Sequence, residues 1–464
     1  MPRRIAVTVL ALLLGAAVPA SAQDWRAGTD SRVELMSILF RLAGNQEYRQ
    51  CRVAAYDRAI ESYFAPYRDH DAVQWAHSLG IAFAAPMNLA VHVRDVDTLD
   101  ELVPFDRPGL HLYEGWNPAK ARDFLSAVRR FAADTNFQAF LTSQQPLFSA
   151  TDARLQAFIR DKADLDWFAR FFGPSLPARL NIVPGMANGA PSYAARFIDA
   201  SGAQQIYAIP GVSKVDFAGL PVFDSDWRAV LVHQLADVYV SPAAGEFGPQ
   251  MEKPASQIYT HVSAAMQRQS YGNWRLMLNA SLERAAAIEY VSEHDGRDAA
   301  RAAIRQENAR SFVWMGGLVD LLETYRNDRR QYPTFQSFMP RVVEFFTAVA
   351  PTTADLLDRF QPKVLSTSIP DGARDVDPGT TAIIVRFSMP MSRVGPAKSA
   401  KLSGGRFDAG GTAITIPLAL EPDRDYTIPL RWSGGQAFVS ADGVPLPATL
   451  LRFRTAAASS PRKQ

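Results

Sequence analysis

The chain has one cysteine, Cys51, in 464 residues. That excludes an internal disulfide, and a chain of this length buries enough apolar surface to fold without one. Cys51 therefore reads as a packed thiol rather than a nucleophile. A charge excess is missing too. There are 49 Lys and Arg against 47 Asp and Glu, and 47 of each once Arg3 and Arg4 are set aside. Such balance argues against nucleic acid as a partner and gives no reason to expect an anionic membrane surface. Past the N-terminus no apolar run is long enough to span a bilayer. The patterns GxSxG, GxxxxGK[ST] and GxGxxG are absent, so serine hydrolysis and nucleotide binding have no local support.

What is present begins with MPRRIAVTVLALLLGAAVPASAQ. A basic start, an apolar run from Ile5 to Ala17 and the small residues Ala20, Ser21 and Ala22 form a Sec-type signal peptide over 1–22, cut after Ala22. The mature protein is expected to be periplasmic or secreted, with no transmembrane segment. The pattern then reads as α+β. SRVELMSILFRLA, PAKARDFLSAVRRFAADT and DARLQAFIRDKADLDWFARFF have helical spacing of apolar residues. LNIVPG, YAARFID and QQIYAIPGV between Leu180 and Val212 read as a small sheet, with a hairpin loop at Ala200 to Ala203. Helix returns near Ser225 and runs, with breaks, to about Ala350. After Gln361 short alternating runs (TAIIVRF, ITIPLAL, DYTIPLRW, QAFVSA, TLLRFRT) lie between Gly, Pro and Asp turns, as an all-β sandwich requires. The expected domains are 23–361 and 362–455, followed by a disordered tail over 456–464.

The chemistry concentrates in RAVLVHQLADVYVSP, Arg228 to Pro242. Asp224, Ser225 or Asp226 can cap this helix, Pro242 is expected to end it, and apolar residues on most sides make it central and buried. His233 and Asp237 are four apart, hence on one face, with Gln234 adjoining. In a zinc peptidase two histidines at this spacing hold the metal and the intervening Glu is the general base. Gln234 has nearly the shape of that Glu and cannot take the proton. Asp237 can still coordinate a metal through oxygen, less selectively for zinc than a second His. Taken by itself, an HxxxD pair in an apolar helix reads first as His233 donating to Asp237 with no metal bound.

The chain resembles a family of secreted bacterial proteins of unknown function with a zincin-like core. The likeness rests on RVELMSILFRLAGNQEY, YFAPYRDHDAVQWAHSL, APMNLAVHV and FLSAVRRFAADTNFQAFL in that order. The family helix reads V-H-E-x-x-H and closes with Asn-Pro; here it reads Val232-His233-Gln234-Leu235-Ala236-Asp237 and closes with Ser241-Pro242. A later family helix carries a third-ligand Glu shortly before Arg-Ala. In LNASLERAA, Arg284-Ala285 is retained, Ala280 stands at the Glu position, and Glu283 one turn on is the substitute. PDGARDVDPGTTAIIVRFSMPMS and ADGVPLPATLLRFRT resemble a bacterial Ig-like module.

The resemblance implies an exported protein whose metal site has decayed: a non-catalytic pseudopeptidase that holds an extended peptide or a cell-envelope component along a sheet edge, with no cofactor. The alternative is a divergent metal-dependent hydrolase, with His233, Asp237 and Glu283 holding Zn²⁺ or another divalent ion. His70, His77, His92, His111, His261 and His294 read mainly as surface or capping residues. Glu289 and Glu293, four apart, need solvent or a shared arginine such as Arg284 or Arg297.

Overall fold

In the computed structural model, residues 24–80, 84–110, 112–113, 115–173, 178–189, 191–393, 405–431 and 437–457 are described. The expected signal peptide, His111 and all but the first two residues of the expected tail lie outside them. The fold is α+β, and the chain divides into two compact units, Met1–Trp227 and Arg228–Gln464. Among the described residues no helix is long and apolar enough to cross a membrane.

The first unit runs β1 (Asp24–Ala27), α1 (Ser31–Leu42), α2 (Ala54–Phe64), α3 (Asp71–Leu79), α4 (Ala85–Val91), α5 (Pro118–Asp134), α6 (Phe137–Lys162), α7 (Asp166–Phe172), β2 (Ala178–Ile182), β3 (Tyr193–Ile198) and β4 (Gln204–Ile209). Its sheet has the order β1-β2-β4-β3, with β1, β2 and β4 parallel and β3 antiparallel on the β4 edge. The β3–β4 hairpin has the expected loop, because the Asp199 carboxylate accepts from Ser201 N at 2.8 Å and Ala203 N at 3.1 Å and so folds the turn on itself. Helix α1 is buried nearly all round and lies in the core with α3 and α4. Phe64 is fully buried among Phe131, Phe137 and Phe140. The run from Asp152 to Phe172 is not one helix: α6 stops at Lys162 and α7 starts at Asp166, where Asp164 accepts from Trp167 N at 3.1 Å. Cys51 is a packed thiol. Its Sγ lies 3.3 Å from the Met186 carbonyl, and burial pushes its pKa up to about 12, which keeps it protonated and unreactive.

The boundary between the units falls in the first turn of α8 (Ser225–Glu246). The second unit continues with α9 (Gly248–Gln267), α10 (Trp274–Asp295), α11 (Arg297–Ala309), α12 (Met315–Asn327), α13 (Phe335–Val349) and α14 (Thr353–Phe360), then β5 (Val364–Thr367), β6 (Ala373–Val376), β7 (Ala382–Phe387), β8 (Arg406–Phe407), β9 (Ala413–Pro417), β10 (Asp425–Pro429) and β11 (Leu450–Thr455). The change from helix to strand thus lies between Phe360 and Val364, inside one compact unit. Helix α10 packs against α9, α11 and α12. The strands form two sheets, β10-β11-β6 and β5-β7-β9-β8. Ile383, Val385 and Phe387 of one and Leu451 and Phe453 of the other share an apolar cluster. The described part of QAFVSA, Ala437 to Ala441, makes isolated bridges at Ala437, Val439 and Ser440, and Phe438 reaches the core. No closed barrel is found among the described residues.

Candidate functional site

Helix α8 starts where the acidic cluster indicates. The Asp224 carboxylate accepts from the N–H groups of Asp226 and Trp227, each at 3.1 Å, so Asp224 is the cap. Its end differs from expectation. The helix runs through Pro242 to Glu246. Proline removes one helix hydrogen bond and crowds the preceding turn, but the Pro242 ring is exposed, and buried Ala243 and Ala244 anchor the last turn. Leu231, Val232, Leu235, Ala236, Val238 and Val240 are buried, whereas Val230 is 37 % exposed.

His233, Asp237 and Ser241 follow one another at four-residue steps and share a helix face. Helix α10 presents Asn279 and Glu283, also four apart. The two rows meet. Glu283 Oε2 lies 3.5 Å from His233 Nδ1, and Asn279 Nδ2 donates to Ser241 Oγ at 3.2 Å. Between these contacts Ser241 Oγ donates to Asp237 Oδ1. The structure therefore brings His233 and Glu283 together and commits Asp237 to Ser241. The direct His233–Asp237 pair is not formed among the hydrogen bonds of this cluster. Ala280 is buried, and Glu283 is the carboxylate that faces α8.

The His233 side chain keeps 31 % exposure, yet its Nδ1 is closed off and makes no hydrogen bond. Burial first, then the positive charges of Arg284 and Arg310, pull its pKa down to about 3, so the imidazole is neutral at physiological pH. Arg284 is held in turn by Glu307 at 2.6 Å and by the Tyr271 hydroxyl at 3.0 Å. Gln234 is 9 % exposed, on α8 directly beside His233.

Of the three expected metal ligands, two meet and the third is engaged elsewhere. Among the described residues no three His, Cys, Asp or Glu side chains are arranged to hold a metal ion. Neutral His233, with an unmatched ring nitrogen beside a carboxylate, fits one edge of such a site. The Ser241–Asp237 bond does not fit the other edge. Ser241→Ala is expected to cost about 1 kcal/mol of stability, read by urea unfolding; no change would mean that Asp237 finds an equal partner elsewhere.

Asn279 was not anticipated. The signal for it was available: it precedes Glu283 by one turn, so any helix face presenting Glu283 presents Asn279 as well. Glu289 and Glu293 share Arg326, at 3.3 and 3.5 Å, rather than the expected Arg284 or Arg297; Arg284 serves Glu307, and Arg297 serves Glu323. His70 caps α3, its Nδ1 accepting from Ala72 N at 3.1 Å. His77 Nδ1 meets the Ala43 carbonyl at 2.8 Å, so these two histidines have separate partners. His92 and His294 each bond a backbone carbonyl one turn back, and His261 is exposed.

A comparison with curated proteins finds no match. Among solved structures the chain is similar to the S-layer protein rSbsC, at 14 % identity and a TM-score of 0.17, over 73 % of this chain and 42 % of that one. It spans less than half of that protein's length, and a TM-score so low carries no argument. A family model described as a domain of unknown function, DUF4932, matches residues 27–345. That match covers well over half of the chain, and the protein belongs to the DUF4932 family.

Proposed function

We propose that the protein is an exported, non-catalytic peptide-binding or envelope-binding protein built on a zincin-like, metallopeptidase-like core, with a C-terminal Ig-like sandwich as its presenting module. One observation carries the reading. A side-chain amide, Gln234, stands beside His233 where a hydrolase of this type needs a carboxylate base. An amide keeps the shape and hydrogen-bonding capacity of the site and cannot accept the proton of an attacking water. Two further features support it. Asp237 is satisfied by Ser241. Val230 on α8 and Leu276 on α10 are 37 % and 46 % exposed, so apolar side chains flank the polar row as an extended peptide requires.

A second reading has one observation in its favour. The closed-off Nδ1 of His233 beside Glu283 is half of a ligand set, as a divergent metal-dependent hydrolase using His233, Asp237 and Glu283 would need.

The deciding experiment uses the mature chain, Gln23 to Gln464, made without a metal-binding tag. Bound metal is measured by elemental mass spectrometry before and after equilibration with zinc, and a peptide library is screened for binding and for cleavage. The expected outcome is peptide or envelope-fragment binding without cleavage, and no stoichiometric metal. Near one metal per chain, lost in His233→Ala and accompanied by peptide cleavage, would establish the hydrolase reading instead.

A further inference from the structure

A cleft lies in the first unit, far along the sequence from His233. Its void is about 350 Å³, the size of small-ligand pockets. The strand register builds its floor. Arg26 of β1 pairs with Asn181 of β2, and Asn181 pairs with Tyr207 of β4. Paired residues on adjacent strands share a sheet face, so these three side chains form one polar row across the parallel strands. The walls are Asp30 and Arg32 at the start of α1 and Asp152 on α6. Ligands of sheets with parallel strands gather near such strand-to-helix turns.

The charges in this cleft fall into two groups. Arg32 is neutralised and fixed. It pairs with Asp30 at 2.5 Å, donates to the Tyr207 hydroxyl at 3.1 Å and lies 5.6 Å over that ring. Arg26 and Asp152 are left over. Arg26 is exposed and has no ion-pair partner among the described residues. Asp152 accepts from Thr29 N at 2.7 Å and Thr29 Oγ1 at 3.2 Å and has no cation of its own. Each of its oxygens retains a further lone pair. Burial holds its carboxyl above the usual range even against those two hydrogen bonds. The fit is close at position 28: a Cβ on Gly28 would sit 3.2 Å from the Asp152 carboxylate, which would have to give by a few tenths of an ångström.

A guanidinium and a carboxylate that line the same small polar cleft, neither of them in an ion pair, match one ligand class. We infer that the cleft binds a free α-amino acid, with Arg26 taking the α-carboxylate, Asp152 the α-ammonium, and the row of Asn181 and Tyr207 forming the floor. The assignment does not depend on the His233 site.

The test is direct. The mature chain is screened by thermal shift against the common L-amino acids, and the best binder is titrated by calorimetry beside its N-acetyl and carboxamide derivatives. Each blocked form is expected to bind about tenfold more weakly or worse, since each loses one charged hydrogen-bond set. Arg26→Gln is expected to weaken the free amino acid by a similar factor with an unchanged melting temperature, because Arg26 is exposed and unpaired. Asp152→Asn is expected to remove the preference for the free ammonium over the N-acetyl form. No binding by any amino acid, or binding indifferent to both blocking groups and to Arg26→Gln, would overturn the inference.

Discussion

At pH 8 the Glu34→Gln variant is expected to be more stable than the wild type, and at pH 5 slightly less stable. Glu34 lies in the first turn of α1 with no exposed surface. The Tyr56 hydroxyl donates to its Oε2, while Oε1 has no hydrogen-bond partner. Burial raises the carboxyl to about 8; the Tyr56 bond opposes the rise, and Asp30 and Asp152 add to it. In the unfolded chain the group titrates near 4.5. Between those values the unfolded state gives up the proton and the folded state keeps it. Stability present below pH 4.5 is therefore lost as the pH climbs towards 8. By pH 8 the loss is roughly 3–5 kcal/mol. A glutamine does not titrate and still accepts from Tyr56, but its N–H groups replace the unmatched oxygen at a cost of about 1–3 kcal/mol at every pH. The two effects cross, and the net gain at pH 8 is about 2 kcal/mol. Calorimetric unfolding of both proteins from pH 5 to pH 9 reads the crossing directly. Parallel stability curves would mean that Glu34 titrates as an ordinary surface carboxylate, and its burial would then be wrong.

That residue also marks where sequence reasoning stops. An acid in the first turn of a helix is favourable locally, since it faces the free N–H groups, and nothing local distinguishes an exposed Glu34 from a buried one. Its setting is long-range: Tyr56 on α2 donates to it, and a charge as distant in sequence as Asp152 acts on its titration. The same holds for β1. Four residues, Asp24–Ala27, are too few to show alternation, and their partner strand begins at Ala178. Features carried by short spacing were legible. Examples are the Asp224 cap, the common face of His233 and Asp237, and the Asp199 turn between β3 and β4. The fate of Pro242 was not, because proline ends a helix only where the flanking residues gain nothing by continuing, and Ala243 and Ala244 gain burial. Asp237 is the instructive case. Its partner Ser241 stands one turn on, in plain view, but a metal-site reading of His233 and Asp237 directs attention to the preceding turn.

The Gln234→Glu/Asp237→His double substitution is expected to give the α8–α10 face a zinc site. Three conditions govern such a site: an i, i+4 pair of imidazoles, a third ligand on another element, and neutral ligands before the metal arrives. Glu283 already stands 3.5 Å from His233, and His233 is already held neutral by burial and by Arg284 and Arg310. The missing piece is a soft ligand at position 237 that is not committed to Ser241. Substitution there removes the Ser241–Asp237 bond at a cost of about 1 kcal/mol, small beside the roughly 10–16 kcal/mol available from zinc in structural sites. Zinc affinity, read by competition with a chromogenic chelator, is expected to rise about a hundredfold or more over the wild type. The Asp237→His single substitution should give most of that rise, because Gln234 is not a ligand position. Peptide cleavage should need Gln234→Glu in addition, since only the carboxylate can act as base. A double variant that melts like the wild type yet takes up no zinc would show that α8 and α10 do not have peptidase spacing, and the pseudopeptidase reading would fall with it. A wild type that already binds zinc as tightly as the variant would make the protein a metalloprotein, with Asp237 leaving Ser241 to serve the metal.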